Sequence, residues 1–398
     1  MKILFLIADG MGDWPLEQLD GRTCLEAAET PHMDELAASG MVGRIHTIPE
    51  GMPPGSDTAN MSLLGFDPAT YHTGRGPIEA AAQGLKLNAD DLVWRLNLVN
   101  LTAMDLDGKM LDYSAGHITT EQSTPLIERL QERLGDDTFR FVPGVQYRHL
   151  LIQKHGAKSD EAKLSINPPH DITDKSIRPD LSVYSKSPLL WDLIHEGASI
   201  LSGGWNETRA RAIWPWGQGS PLTLPSFKKT YGLKGAVISA VDLIKGLGNA
   251  AGMKVIDIPG ATGLLDTNYQ GKVDAALEFL KRGDFVFVHL EGPDECGHGG
   301  DITGKIEAIA RFDAQVVGPL RKALAGKPCA WLGACDHFTP IVEKTHTIDP
   351  VPFFLNAPGL APSGVSEFSE KTAQATGLDI TPGHSLMSWV LKQTKQHA

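Results

Sequence analysis

Five short apolar runs limit what this chain can fold into: KILFLIA (2–8), KGAVISA (234–240), MKVIDI (253–258), DFVFVHL (284–290) and PCAWLGA (328–334). Each is rich in branched residues, continuous, and too short for an ordinary helix, which is how strands buried on both faces read. Amphipathic helical patterns separate them. TPHMDELAASG (30–40) offers Thr30 as N-cap and Pro31 as first helical residue, and stops at Gly40. YQGKVDAALEFLKRG (269–283) and IEAIARFDAQVVGPLRKAL (306–324) keep a helical period. Strands and helices in alternation imply an α/β fold, a mainly parallel sheet flanked by helices.

The middle of the chain reads differently. LVWRLNLVNLTAMDLDGKMLDYS (92–114) sets an Asp107-Gly108 turn signal between two strand-like runs. A helix is expected over 121–134, and FRFVPG (139–144) with YRHLLIQ (147–153) reads as a second antiparallel pair. These elements predict an inserted α+β domain over 76–188, with the core formed by 1–75 and 189–398. The Pro- and Asp-rich NPPHDITDKSIRPD (167–180) lies near the expected return.

Lys and Arg number 36 against 48 Asp and Glu, a formal charge of −12. Nucleic acid and anionic membranes both select clustered basic residues, so neither is an expected partner. A small anionic substrate stays open wherever a metal or an arginine cluster reverses the local field. Four cysteines (Cys24, Cys296, Cys329, Cys335) with no C-x-x-C make no disulfide framework. MKILFLIADG has no small-residue cleavage site, and no apolar run approaches the roughly 18 residues of a membrane span. A soluble, cytoplasmic protein is expected, with homo-oligomerisation left open.

Three of the apolar runs end in metal-type ligands. The first runs into Asp9, the fourth is followed by Asp294 and His298, and the fifth by Asp336 and His337; His346 stands in THTIDPVPFF (345–354). Ligands in open α/β sheets gather at the carboxyl ends of strands. One Asp after a strand is usually a turn or a cap, but three strand ends carrying such groups point to one site. Mixed carboxylate and imidazole donors suit transition metals such as Mn²⁺ or Zn²⁺, with Mg²⁺ preferring oxygen, and their number fits two ions.

EGMPPGSDTANMSLLGFDP (50–68) then supplies a hydroxyl. Ser56 falls in the first turn of a short helix, where free N–H groups and the dipole favour an anion. A dication lowers the pKa of a coordinated hydroxyl, which would make Ser56 a nucleophile for phosphoryl displacement. The plainer reading is a helix cap. Ser62 falls inside the helix and is the poorer candidate.

The chain resembles the cofactor-independent phosphoglycerate mutases, in their shorter archaeal-type branch of the alkaline phosphatase superfamily. The resemblance spans nearly the whole chain and is carried by IADGMGD (7–13), TPHMDELAASG (30–40), PGSDTANMSLLGFDP (54–68), YHTGRGPIEAAAQG (71–84), IWPWGQG (213–219), GLKGAVISAVDLIKGLG (232–248), PGATGLLDTNYQGK (259–272), PDECGHGGD (293–301), DHFTP (336–340) and HTIDPVPF (346–353). It implies an alkaline-phosphatase-like core with an inserted domain that closes over substrate. It also implies interconversion of 3- and 2-phosphoglycerate through a phosphoserine on Ser56. By the same resemblance Asp9, Ser56, Asp336 and His337 would hold one divalent metal, and Asp294, His298 and His346 the other; Mn²⁺ comes first, then Mg²⁺, Zn²⁺ or Co²⁺. Many relatives have His where this chain has Asn60, which cannot shuttle a proton. Phosphotransfer to homoserine or another small alcohol, or a metal-dependent phosphatase activity, is the alternative on the same site.

A phosphorylated carboxylate substrate needs cations. Arg75, Arg148, Arg209 and Arg211 are the candidates, with His170 and Asp171 as acid–base partners. GLGNAAG (246–252) begins too far after its strand for a dinucleotide fingerprint and reads as helix packing. Trp214 and Trp216 read as core, and His384 as the first turn of the last helix.

Overall fold

The structure, a computed structural model, describes residues 1–396. In chain order its strands are β1 (Lys2–Ala8), β2 (Met41–Ile45), β3 (Leu92–Leu101), β4 (Met110–Asp112), β5 (Phe139–Val142), β6 (Arg148–Gln153), β7 (Ala212–Gly219), β8 (Gly235–Ile238), β9 (Lys254–Val255), β10 (Phe285–Leu290), β11 (Cys329–Ala334), β12 (Val351–Asn356) and β13 (Asp379–Ile380). The chain divides into two compact units, Thr73–Leu222 forming one and the remainder the other.

In the first unit the strands form one sheet ordered β13-β2-β12-β11-β1-β10-β8-β9. β1 runs parallel to both β10 and β11, and β10 parallel to β8. Only β12 runs against its neighbours, pairing antiparallel with β11 and β2. β1, β8, β10 and β11 are almost wholly buried, as their unbroken apolar runs require. Because β1, β10 and β11 are adjacent and parallel, their carboxyl ends meet at one edge of the sheet.

Helices close the faces. Helix Pro31–Ala38 starts where expected, but Thr30 makes no side-chain cap bond. The buried Asp313 carboxylate does that work, accepting from His32 N and Met33 N. Asp313 opens a π-helical turn, Asp313–Val317, inside what the sequence reads as one continuous helix. GLGNAAG behaves as helix packing: a Cβ on Gly248 would lie 2.8 Å from Val237 Cγ2 of β8.

The second unit carries a five-stranded antiparallel sheet, β4-β3-β6-β5, with β7 pairing β3. The hairpin at Asp107-Gly108 and the β5–β6 pair form as read. The return comes later than residue 188. β7 hydrogen-bonds along β3 from Ala212 to Gly219, and helix Pro188–Leu201 packs on β7 and on helix Thr120–Leu134. IWPWGQG lies within β7 although Pro215 and two glycines interrupt its pattern. Trp94, Leu96, Leu130, Tyr184, Ile194 and Trp214 are buried together in this unit's core.

Candidate functional site

At the carboxyl edge of the first unit's sheet, Asp9, Asp294, Asp336 and His337 are buried. His337 Nε2 lies 3.0 Å from Ser56 Oγ, 3.4 Å from Asp9 Oδ1 and 3.5 Å from Asp336 Oδ2. Its ring packs on that of His346 with centroids 3.9 Å apart. His298 Nε2 lies 3.0 Å from His346 Nε2 and 3.3 Å from Asp294 Oδ2, and His346 Nε2 is 3.5 Å from Asp294 Oδ1. The structure therefore gathers Asp9, Ser56, Asp294, His298, Asp336, His337 and His346 in one place.

Local structure explains how. Ser56 opens helix Ser56–Leu63, whose N-cap is Gly55, and no side chain caps it. The hydroxyl is thus not a capping group; its recorded bond goes to His337. Asp294 and His298 are one helical turn apart on Gly292–Gly299, directly after β10. His298 Nδ1 donates to Lys344 O, which turns Nε2 toward Asp294. Gly10 has φ +62°, and a Cβ there would lie 2.6 Å from both Asp294 Oδ1 and Thr339 Oγ1, so only glycine lets the first strand's loop approach. Lys305, wholly buried, donates to Asp13 Oδ2 (2.8 Å), Gly12 O (3.1 Å) and Thr339 O (2.8 Å), tying the loops after β1 and β11 together.

The ligand atoms fall into two groups, Asp9 with His289 and Asp336, and Asp294 with His337 and His346, each with ligand atoms within 4.8 Å of one another. His337 approaches both. Among the described residues, every ion pair recorded for Asp9, Asp294 and Asp336 is with an imidazole and none is with Lys or Arg. Burial raises the Asp9 carboxyl well above its ordinary range, and Asp336 and Asp294 add to the effect. Burial likewise lowers His289 to about 4. Asp9 Oδ1 is buried without a hydrogen-bond partner, and His289 Nε2 faces Asp9 Oδ2 at 3.0 Å without hydrogen-bond geometry. Three buried carboxylates converging on one place, one of them with an orphaned oxygen, are costly alone and fit divalent cations.

His289 escaped the sequence reading because it stands inside the apolar run of β10. The signal was there: one imidazole in an otherwise apolar strand that ends at the ligand edge. Its Nδ1 lies 3.2 Å from Ser239 Oγ.

The second unit gathers a different set. Arg95 is buried and pairs with Glu79 at 2.9 Å; its guanidinium stands 4.9 Å over Trp216, and that of Arg75 stands 5.9 Å over the same ring. Arg148 stands over Tyr147 at 4.3 Å, and His170 meets Trp216 and Tyr113 edge-on. Desolvation lowers the His170 imidazole; Asp171, 3.6 Å away, opposes this, and Arg75, Arg95 and Arg148 reinforce it. Trp216 is therefore both core and platform. Arg95, like His289, was hidden inside a strand. Arg209 sits against Gly116. Arg211 is not with this cluster: β3 pairs Arg95 with Trp216 but Val99 with Ala212, four positions or about 13 Å along the strand. It lines a cavity of about 310 Å³ with His195 and Ser199, and its Nη1 donates to Thr208 O and Ala210 O.

A mostly parallel sheet that brings three carboxylates, four imidazoles and a serine hydroxyl to its carboxyl edge defines a class: α/β proteins built to hold divalent cations beside a serine. The sequence profile of the family described as 2,3-bisphosphoglycerate-independent phosphoglycerate mutase matches residues 37–204. A Methanosarcina barkeri protein of that name is 45% identical over 405 residues, covering 98% of this chain and all of the relative. The solved structure of a cofactor-independent phosphoglycerate mutase from Thermoplasma acidophilum superimposes with a TM-score of 0.65 at 26% identity, over 98% of this chain and 99% of that one. A Pyrococcus horikoshii protein of solved structure matches at TM-score 0.82 and 27% identity, over 100% and 98%. The chain belongs to the 2,3-bisphosphoglycerate-independent phosphoglycerate mutase family.

Proposed function

We propose that this protein interconverts 3-phosphoglycerate and 2-phosphoglycerate by way of a phosphoryl group carried on Ser56, without free bisphosphoglycerate. The observation that carries this reading is the placement of Ser56 Oγ at a helix N-terminus, 3.0 Å from His337 Nε2 and among the buried ligand atoms. In the first half, Oγ bonds to phosphorus while the bond from phosphorus to the glycerate oxygen breaks; Oγ loses a proton and the glycerate oxygen gains one. The second half repeats this in reverse at the other glycerate hydroxyl. Atoms and charge balance, and no co-substrate is consumed.

Asp9, His289, Asp336 and His337 would hold one divalent cation, and Asp294, His298 and His346 the other, Mn²⁺ suiting this mixture of oxygen and nitrogen donors. Bound cations lower the pKa of a hydroxyl and screen phosphoryl charge. Arg75, Arg95 and Arg148 of the second unit suit the phosphate and carboxylate of the substrate. Asn60, the reason to consider another phosphoryl acceptor, spends its amide on protein partners and argues for no change of reaction.

An enolase-coupled assay of purified protein with Mn²⁺ tests the proposal. Turnover without added bisphosphoglycerate is expected. Absence of turnover with Mn²⁺, Mg²⁺, Zn²⁺ and Co²⁺, from mildly acid to mildly alkaline pH, overturns it.

A further inference from the structure

Asn60 is fully buried one helical turn after Ser56, and its two amide hydrogens are both committed. Nδ2 donates to Ser56 O at 2.9 Å and to Asp336 Oδ2 at 2.7 Å. Both partners only accept, which fixes the orientation of the amide: the flipped form would set oxygen against oxygen at two places. Oδ1 is buried with no hydrogen-bond partner. A buried carbonyl left unmade costs free energy, so the position keeps an amide for what its nitrogen does.

The nitrogen completes the restraint on Asp336. Gly10 N and His337 N donate to Asp336 Oδ1, at 3.1 and 3.0 Å. The hydrogen bond recorded for Oδ2 is that from Asn60. Three donors from three segments thus set the plane of this carboxylate; Asn60 ties it to the Ser56 backbone carbonyl, while the His337 ring meets the Ser56 hydroxyl. The Asn60 bond to Asp336 spans 276 positions of sequence.

We propose that Asn60 is a positioning residue: a two-donor bracket that fixes Asp336 Oδ2 relative to the backbone of Ser56, so that the metal ligand and the hydroxyl stay in register. The role rests on the reading of Asp336 as a ligand and Ser56 as the nucleophile. The chemistry selects a neutral side chain with two N–H groups. Aspartate would place a fourth carboxylate among Asp9, Asp294 and Asp336. Histidine in its neutral form has a single N–H and could serve one acceptor. Leucine or alanine serves neither.

The test is Mn²⁺ titration of metal-stripped protein against a chromophoric chelator, with enolase-coupled kinetics on the same samples. Residues that orient a metal ligand typically contribute 10–100-fold to metal affinity or activity. Asn60→Ala is expected to weaken one of two Mn²⁺ sites by roughly that factor and to lower kcat while KM stays unchanged, since a buried side chain cannot touch substrate. Asn60→His, with one N–H, is expected to recover part of both. A purely structural role would lower the melting temperature and leave the Mn²⁺ affinity of the folded protein as it was. If Asn60→Ala does not fold, the isosteric Asn60→Asp answers instead, with kcat falling by at least the same factor. A folded Asn60→Ala or Asn60→Asp protein with unchanged Mn²⁺ affinity and kcat overturns the proposal. The titration needs no substrate, so the mutase reading can fail in the kinetic arm while the bracket stands in the binding arm.

Discussion

Ser56 Oγ and His337 Nε2 lie 3.0 Å apart across 281 positions of sequence, joining the first residue of a helix to the loop after β11. The helix is capped from Gly55 and gains nothing from the Ser56 side chain. Ser56→Ala should therefore fold with a melting temperature close to that of the unsubstituted protein. Turnover should fall by about four orders of magnitude or more, since a lost nucleophile is not replaced by its neighbours. Intact-mass measurement after incubation with phosphoglycerate should show the phosphoryl adduct on the unsubstituted protein alone. Ser62→Ala should keep both activity and adduct. A folded Ser56→Ala protein that still carries phosphate would identify another nucleophile.

Asp294 connects His298 and His346, at 3.3 and 3.5 Å. Burial opposes its charge, yet the His298 and His346 imidazoles hold its carboxyl well below the ordinary range. Asp294→Asn removes the charge both histidines face. Elemental analysis should then find about one Mn²⁺ per chain in place of two, with the Asp9 and Asp336 side retained. Two equivalents bound with unchanged affinity would show that Asp294 is not a ligand.

How far the sequence could be read depended on whether a residue's environment could be inferred from its neighbours. β1, β10 and β11 announced themselves because strands buried on both faces leave continuous apolar runs, and Asp9, Asp294 and Asp336 stood just beyond them. His289 and Arg95 did not, because a polar residue inside a buried strand looks like an exception until its partners, Asp9 and Glu79, are brought beside it by strands far away in sequence. The cap of helix Pro31–Ala38 was misread for the same reason. Thr30 is local, whereas Asp313, which does the capping, is 280 residues from Met33. Arg75 and Arg211 looked alike in sequence, and the register of β3 with β7 separated them.

That separation is testable. Arg148→Gln removes a guanidinium from the aromatic face that includes Tyr147, and should raise KM for phosphoglycerate by roughly 10- to 100-fold, the worth of a hydrogen bond to a charged group. Arg211→Gln, which changes the distant cavity, should leave KM where it was. Steady-state kinetics on both variants decide. Equal effects would place the two arginines in one functional set.

Glu370 gives the first unit a pH dependence of its own. Its carboxylate accepts from Asp13 N and from Thr23 Oγ1. Asp13 is in turn paired with Lys305, the lysine that ties the loops after β1 and β11 together. Burial raises Glu370 from 4.5 to about 7, against the backbone and Thr23 hydrogen bonds and the Lys305 charge. Between those values the native state binds a proton that the unfolded chain has released, so stability falls as pH rises through the window. The contribution is whole below pH 4.5 and gone above about 7. Glu370→Gln has no proton to release, and its melting temperature should fall less across the same interval. Asp13, Lys305 and Cys24 face the carboxyl and are common to both proteins, as are the proposed metal ligands, so the difference between the two melting curves isolates Glu370. Parallel curves from pH 4.5 to 7 would mean that Glu370 titrates as an ordinary carboxylate, and that the network behind the metal loops carries its charge throughout.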